Sequence, residues 1–124
     1  MGEFVQKTAF HLGDPGEFIT TDDFIYRSDR AGVVAIGAGF VTDFASIPNV
    51  IPRWLFDPMK HARWSALPHD FLCRTSEDYV ERVEADWVFH EAMVDEGVKR
   101  WRRNCMFAAV RTNSFRMKLI GRIR

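Results

Sequence analysis

The spacing of the apolar residues changes near residue 57, and this change most restricts what the chain can fold into. Before it, short runs rich in aromatic and β-branched residues, such as residues 18–21 and 24–27, alternate with turn-forming segments. After it, apolar residues recur with the roughly 3.6-residue period of helices. The pattern predicts an α+β fold in one domain spanning residues 1–124. Strands and loops, with a small antiparallel sheet, occupy residues 1–56, and three helices occupy residues 57–124.

The expected boundaries of the helices follow from local signals. The first helix, from about residue 60, contains Pro68, so we expect it to kink there or to begin near that residue. Ser76 is the expected N-cap of a second helix over about residues 77–95, and Gly97 is its expected stop. A third helix starts near Lys99, breaks at residues 112–114, and is expected to bury Trp101, Cys105, Ala108 and Ala109.

Charge is distributed unevenly along a chain whose formal net charge is zero. Residues 99–124 carry nine basic groups and no acidic one, which leaves residues 1–98 with a balance of −9. We expect the basic segment to dock on the acidic body of the chain or on a neighbouring subunit. A nucleic-acid or anionic-membrane face is the alternative. Nucleic acid is disfavoured as a partner because dedicated DNA-binding domains are usually basic overall.

Composition also restricts location and redox chemistry. No uncharged stretch approaches the roughly 20 apolar residues of a membrane span, and the first residues lack the basic and hydrophobic regions of a secretory signal. Cys73 and Cys105 are too few for a disulfide framework and too far apart for a zinc clip. We therefore expect synthesis in a reducing cytoplasm.

The first candidate site is the loop over residues 39–48, between the sheet and the helices. It contains Gly39, Thr42, Asp43, Ser46 and Pro48. Loops on a rigid scaffold often carry function, but such side chains also satisfy backbone groups in tight turns. Both interpretations remain open, so these residues are structural-loop candidates, with Asp43 also a candidate metal ligand.

The second candidate is a pair of residues from different helices, His69 and Asp86. Helical spacing turns Asp86 toward the interior, where a carboxylate needs a partner, and His69 on the preceding helix is the obvious one. His69 suits proton transfer near neutral pH. His90, four residues after Asp86, is a weak candidate metal ligand, and zinc is disfavoured because its usual helical motif is absent.

Other nucleophiles rank lower. Ser46, His69 and Asp86 follow the chain order of one hydrolase triad, but triads are defined by geometry, and Ser46 has no nucleophile-elbow context. Cys73 fits a small core residue better than a reactive thiol.

These segments together resemble a phage and prophage family of small proteins of unassigned function. The matching segments are the Gly-Phe-x-Thr-Asp-Phe-Ala-Ser-x-Pro loop at 39–48, the His-Asp pair at 69–70, Ala-Asp-x-x-Phe at 85–89 and Val-Arg at 110–111. Pro68 and Cys73 depart from the family pattern, which usually has an aliphatic residue and a Tyr there. The resemblance implies a virion or host-envelope setting, with incorporation into the phage tail after synthesis in the host cytoplasm.

A looser resemblance connects the same helices with secreted and viral phospholipases of the A type. It implies that His69 is the base, Asp86 its orienting partner and Asp70 a calcium ligand. The glycine-rich calcium loop is missing and Cys73 replaces a Tyr, although Asp43 could serve as a substitute ligand.

Two hypotheses follow. The preferred one is an assembly protein of the tail or baseplate, which contacts other virion proteins or copies of itself and uses His69 and Asp86 as a buried structural pair. The alternative is a hydrolase of the host envelope, phospholipase-like or amidase-like, with the same two residues as a base dyad. No cofactor is assigned, and calcium is the cation that the second hypothesis would use.

Overall fold

The structure, a computed structural model, describes residues 2–44, 51, 52 and 54–123. Within these residues, six strands precede four helices. The strands are Glu3–Gln6 (β1), Phe10–Leu12 (β2), Phe18–Thr20 (β3), Phe24–Ser28 (β4), Gly32–Ile36 (β5) and Val41–Thr42 (β6). The helices are Pro58–His61 (α1), Arg63–Thr75 (α2), Tyr79–Glu96 (α3) and Arg100–Leu119 (α4). This order confirms the predicted α+β class, with the one-turn helix α1 added to the three expected helices.

The strands form two antiparallel sheets of three strands each, in the orders β1-β4-β5 and β2-β3-β6. The sequence predicted one sheet and did not include β1 or β2. These two strands expose most of their side chains, so they lack the alternation of buried and exposed residues that marks β4. In the second sheet, β6 pairs with β3, which places Thr42 at its edge opposite Phe18.

Helix α2 runs without interruption through Pro68. The expectation that the helix begins near Pro68 is therefore wrong, because it begins five residues earlier, at Arg63. A proline at this position costs the hydrogen bond to the carbonyl of Trp64. All six residues from 65 to 70 are buried, so packing on every side of this turn outweighs the loss.

The connection between α2 and α3 uses two different caps. Asp78, rather than Ser76, is the N-cap of α3, and its carboxylate accepts a hydrogen bond from the backbone N–H of Glu81 at 2.9 Å. Ser76 instead ends α2, where its hydroxyl donates to the carbonyl of Cys73 at 2.7 Å. At the other end of α3, Gly97 has a φ of 84°, which confirms it as the stop.

Helix α4 has the opposite face buried from the one that the sequence predicted. Met106, Val110 and Ser114 are buried, whereas Trp101, Cys105 and Ala108 are exposed and Ala109 is half-buried. The helix also continues through residues 112–114 to Leu119. The polar triplet does not break it because Ser114 finds a buried hydrogen-bond partner, which is described below.

Two apolar clusters meet along α3. One includes Phe56, Phe89, Met93, Met106 and Val110. The other joins the first sheet to α2 and α3 through residues that include Phe24, Tyr26, Ile36, Leu67 and Val88. Because α3 contributes to both clusters, a polar side chain on its buried face must find its partners within the protein.

Among the described residues, no helix is both long enough and apolar enough to span a membrane.

One contact between the sheet and α3 is suited to a stability test. Tyr26 is fully buried, and its hydroxyl donates to Oδ2 of Asp95 at 2.6 Å. We expect Tyr26→Phe to lower the free energy of unfolding by about 1–2 kcal/mol, because Asp95 loses a hydrogen bond that water replaces incompletely. Urea denaturation measures the effect. Val33→Thr on the exposed face of β5 is the control, and an equal loss in both variants would contradict the assignment.

Candidate functional site

The Asp86 carboxylate lies at the centre of the candidate site. Asp86 is on the buried face of α3, between Ala85 and the apolar residues of the next turn, and its side chain is fully buried. An isolated buried carboxylate is strongly unfavourable, so both of its oxygens need donors. Three side chains supply them: His69 from α2, and Arg111 and Ser114 from α4. We call these four residues the Asp86 cluster.

His69 occupies one oxygen of the carboxylate. Its Nε2 lies 2.7 Å from Oδ1 of Asp86, and its side chain is also fully buried. The imidazole ring stacks on Phe89 with the ring centroids 4.7 Å apart, which fixes the plane of the ring. The Sγ of Cys73, one turn along α2, lies 3.5 Å from the same Nε2. The sulfur and the carboxylate therefore both face Nε2 of the ring.

The other oxygen accepts two hydrogen bonds from α4. Nη1 of Arg111 donates to Oδ2 of Asp86 at 2.9 Å, and the hydroxyl of Ser114 donates to the same atom at 2.7 Å. A second guanidinium nitrogen of Arg111 donates to the hydroxyl of Tyr79 at 2.8 Å. One carboxylate thus joins α2, α3 and α4, and a guanidinium compensates its charge.

A second polar contact lies beside the first and ties the loop to α2. Asp70 is buried, and its Oδ2 accepts a hydrogen bond from the hydroxyl of Thr42 at 2.7 Å and an ion pair from Arg74 at 3.0 Å. Arg74 also donates to the carbonyl of Val41 at 2.7 Å. Asp70 is therefore engaged by residues of β6 and of its own helix.

The bend after β6 is held by the same threonine. Thr42 Oγ1 accepts a hydrogen bond from the backbone N–H of Phe44 at 3.1 Å while donating to Asp70. Phe44 has a φ of 56°, which is unfavourable for a bulky residue. Its side chain is buried in the first apolar cluster, and this packing offsets the backbone strain.

The electrostatics of the cluster favour a charged His69. Burial disfavours the imidazolium, but the Cys73 sulfur and the Asp86 carboxylate outweigh that effect and raise the pKa of His69 from 6.5 to about 9. The ring is then protonated at neutral pH and forms an ion pair with Asp86. Such a group is a poor general base, because it has no free lone pair to take up a proton.

The donor atoms that could hold a metal ion are those of His69, Cys73 and Asp86, all within 4.8 Å of one another. This is the one such group among the described residues, and its nitrogen, sulfur and oxygen atoms suit zinc better than calcium. Both oxygens of Asp86 already accept hydrogen bonds, however. A metal ion would have to displace the proton between His69 and Asp86.

The remaining predicted residues lie outside this group. His90 is half-buried and its ring contacts Trp87 and Phe107, while burial, followed by the charge of Arg103, lowers its pKa. Asp43 is exposed, and Gly39 has a φ of 87° in the turn before β6. Ser46 and Pro48 lie outside the described residues, so the structure does not bear on their predicted roles.

Sequence reasoning paired His69 with Asp86 but missed the donors from α4. Arg111 and Ser114 are three positions apart, which places them on one helix face and could have indicated a shared partner. The contact of Thr42 with Asp70 was also missed, since its two residues are 28 positions apart.

A family model described as protein of unknown function (DUF1353) matches residues 18–110. The chain belongs to this family. The matched region contains His69, Asp70 and Asp86. The other two residues of the Asp86 cluster, Arg111 and Ser114, lie just beyond it. No curated protein and no solved structure matches the chain.

The raised pKa of His69 predicts how stability depends on pH. A group whose pKa is higher in the folded state stabilises the protein fully below its unfolded pKa of 6.5, and this stabilisation is lost as pH rises through about 9. We expect the free energy of unfolding to fall by roughly 1–3 kcal/mol over that window. Urea titrations at several pH values measure it.

His69→Gln is the matched variant for this measurement, because glutamine keeps a donor toward Asp86 but does not titrate. Its stability should vary less over the same window. The lowered pKa values of His61 and His90 place their effects at lower pH. An unchanged slope in His69→Gln would show that another group is responsible.

Proposed function

We propose that this DUF1353 protein is a non-catalytic assembly component of a phage virion, belonging to its tail or baseplate. The phage setting is supported by the resemblance of residues 39–48, 69–70 and 85–89 to a phage and prophage family. The non-catalytic role is supported by one observation: His69 and Asp86 are both fully buried and bonded to each other. In this role the Asp86 cluster is a structural contact that fixes three helices relative to one another.

A general base must reach a water molecule or a substrate, directly or through one water. The ring of His69 is covered by Phe89 on one face and directs Nε2 at Asp86. The carboxylate is in turn saturated by Arg111 and Ser114. These contacts favour a role in stability, since every polar atom of Asp86 is used within the protein.

Removing the imidazole separates the structural role from a catalytic one. We expect His69→Ala to lower the free energy of unfolding by about 1–3 kcal/mol, because Oδ1 of the buried Asp86 carboxylate loses its donor. Guanidinium or urea denaturation measures the loss. His11→Ala on the exposed face of β2 is the matched control and should change stability by less than about 0.5 kcal/mol. A fully stable His69→Ala variant would contradict the proposal.

The second candidate function is the hydrolase of the host envelope, and one distance favours it. A separation of 2.7 Å between His69 Nε2 and Asp86 Oδ1 is the contact that a base and its orienting carboxylate make. The phospholipase-like form also needs Asp70 to bind calcium. In the structure, Arg74 forms an ion pair with the same oxygen of Asp70 that accepts a hydrogen bond from Thr42. The guanidinium of Arg74 therefore already balances the charge that calcium would balance.

Calcium therefore provides a test of the two functions. We expect millimolar Ca²⁺ to leave the melting temperature unchanged and anionic phospholipid vesicles to remain intact, because Asp70 is neutralised by Arg74. Differential scanning calorimetry and a fatty-acid release assay measure both effects. A calcium-dependent rise in the melting temperature, removed by Asp70→Asn, together with lipid hydrolysis removed by His69→Gln, would favour the hydrolase.

Incorporation into particles tests the virion assignment itself. Mass spectrometry of purified particles, made from the genome that encodes this chain, should detect the protein in stoichiometric amounts. Its absence from complete particles would contradict an assembly component that remains in the virion.

A further inference from the structure

Helix α4 presents a second face that its own chain does not cover. Six residues at alternating spacings of four and three follow one another along this face, and all six are exposed: Trp101, Cys105, Ala108, Thr112, Phe115 and Leu119. We call them the α4 seam. The three largest side chains have exposed fractions of 49% for Trp101, 53% for Phe115 and 70% for Leu119.

The seam is not required to attach α4 to the rest of the protein. The opposite face holds Met106 and Val110 in the apolar core and Ser114 against Asp86. The helix is therefore anchored along one side from Met106 to Ser114. The large apolar side chains on the other side remain 49–70% exposed after folding, and such exposed stripes typically mark interaction surfaces.

The width of the seam favours a helical partner over a lipid surface. Spacings of four and three are those of the a and d positions of a coiled coil, which form a narrow seam against a second helix. A helix that lies in a membrane interface usually has a wider apolar face. Here the middle of the seam is formed by Ala108 and Thr112, which would add little to lipid binding but allow a helix to approach closely.

The charges beside the seam determine the chemistry of the partner. Arg116 and Lys118 are exposed at the flanking positions, Arg102 at a third is half-buried and donates from Nε to the carbonyl of Leu55 at 2.8 Å, and α4 contains no acidic residue. Arg111, also flanking, is directed inward to Asp86. Two copies of α4 packed against each other would place these like charges together, which is unfavourable. The flanks instead complement a helix with acidic residues beside its own apolar seam.

A second copy of this chain does not supply such a helix in the part that the structure describes. Within its helices, the acidic residues with exposed side chains are Glu81 and Glu84, and Glu84 already forms an ion pair with Arg30. The large apolar residues that α3 exposes are Val80 and Trp87, and Trp87 packs against Phe107 of α4, so α3 has no continuous free apolar seam of its own. The complementary helix therefore belongs to another protein.

We propose that the α4 seam is the docking site for an acidic amphipathic helix of a different protein, joined through an apolar stripe flanked by ion pairs. The inference that this partner is a virion component rests on the proposed function, whereas the chemistry of the partner does not. Binding weakens as salt concentration rises, because the flanking ion pairs are exposed to solvent.

Two synthetic peptides of about three heptads test the chemistry of the partner. Both carry Leu at the a and d positions, and the flanking positions are Glu in one peptide and Lys in the other. Fluorescence anisotropy with the full-length chain should show binding of the Glu peptide alone. The affinity should fall as NaCl rises from about 0.05 to about 0.5 M.

Substitutions within the seam test its location. Phe115→Asp should weaken binding of the Glu peptide roughly tenfold or more, since it puts a charge into the apolar stripe of the seam. Leu12→Asp, at an apolar residue of β2 that is 78% exposed, is the matched control and should bind like the wild type. Because both side chains are exposed, circular dichroism should show that both variants fold. Equal binding of the two peptides, or undiminished binding by Phe115→Asp, would overturn the proposal.

Two further measurements separate this inference from alternatives. The chain could instead bind phosphatidylglycerol vesicles and neither peptide. If Phe115→Asp abolished that binding, the partner of the seam would be a membrane and not a helix. In particle preparations, wild-type protein and Leu12→Asp should be incorporated and Phe115→Asp should be lost. Incorporation of all three would overturn the inference about the virion partner but leave the assembly role intact, whereas absence of the wild type would overturn the assembly role.

Discussion

The burial of one carboxylate sets the arrangement of the helices. Asp86 is on the face of α3 that both apolar clusters surround, so water cannot solvate its charge. The free energy cost of that burial is offset only if His69, Arg111 and Ser114 all reach it. Apolar packing alone tolerates sliding of one helix past another, whereas three directional hydrogen bonds do not. The cluster therefore specifies the relative positions of α2, α3 and α4.

A second buried carboxylate, that of Asp70, connects helix α2 with the second sheet. Asp70, next to His69 on α2, holds Thr42 at the end of β6, and Thr42 holds the strained backbone at Phe44. The two adjacent residues of α2 point in different directions and connect different parts of the protein. His69 faces α3, and Asp70 faces the second sheet. A single turn of α2 thus links the strand half to the helical half.

Much of this arrangement could be predicted from the sequence because it follows from local rules. The change in hydrophobic period indicated the α+β class, and the cost of a buried carboxylate indicated the pairing of His69 with Asp86. The errors arise where tertiary contacts outweigh local signals. Pro68 lies in the part of α2, residues 65 to 70, that is buried throughout, and α4 buries Ser114 rather than Trp101. Side-chain hydrophobicity alone would not place a serine rather than a tryptophan on the buried face. The hydrogen bond of Ser114 to Asp86 on α3 explains this choice.

The orientation of α4 connects the buried Asp86 cluster with the exposed α4 seam. If α4 were rotated to bury Trp101 and Phe115, Arg111 and Ser114 would turn toward solvent, and Met106 and Val110 would leave the apolar core. The hydrogen bonds of Arg111 and Ser114 to Asp86 prevent this rotation. The Asp86 cluster therefore keeps the apolar stripe of α4 on the surface, because a buried charge that needs donors is costlier to leave unpaired than a few aromatic side chains are to expose. The internal polar contact and the proposed docking surface are two consequences of the same helix orientation.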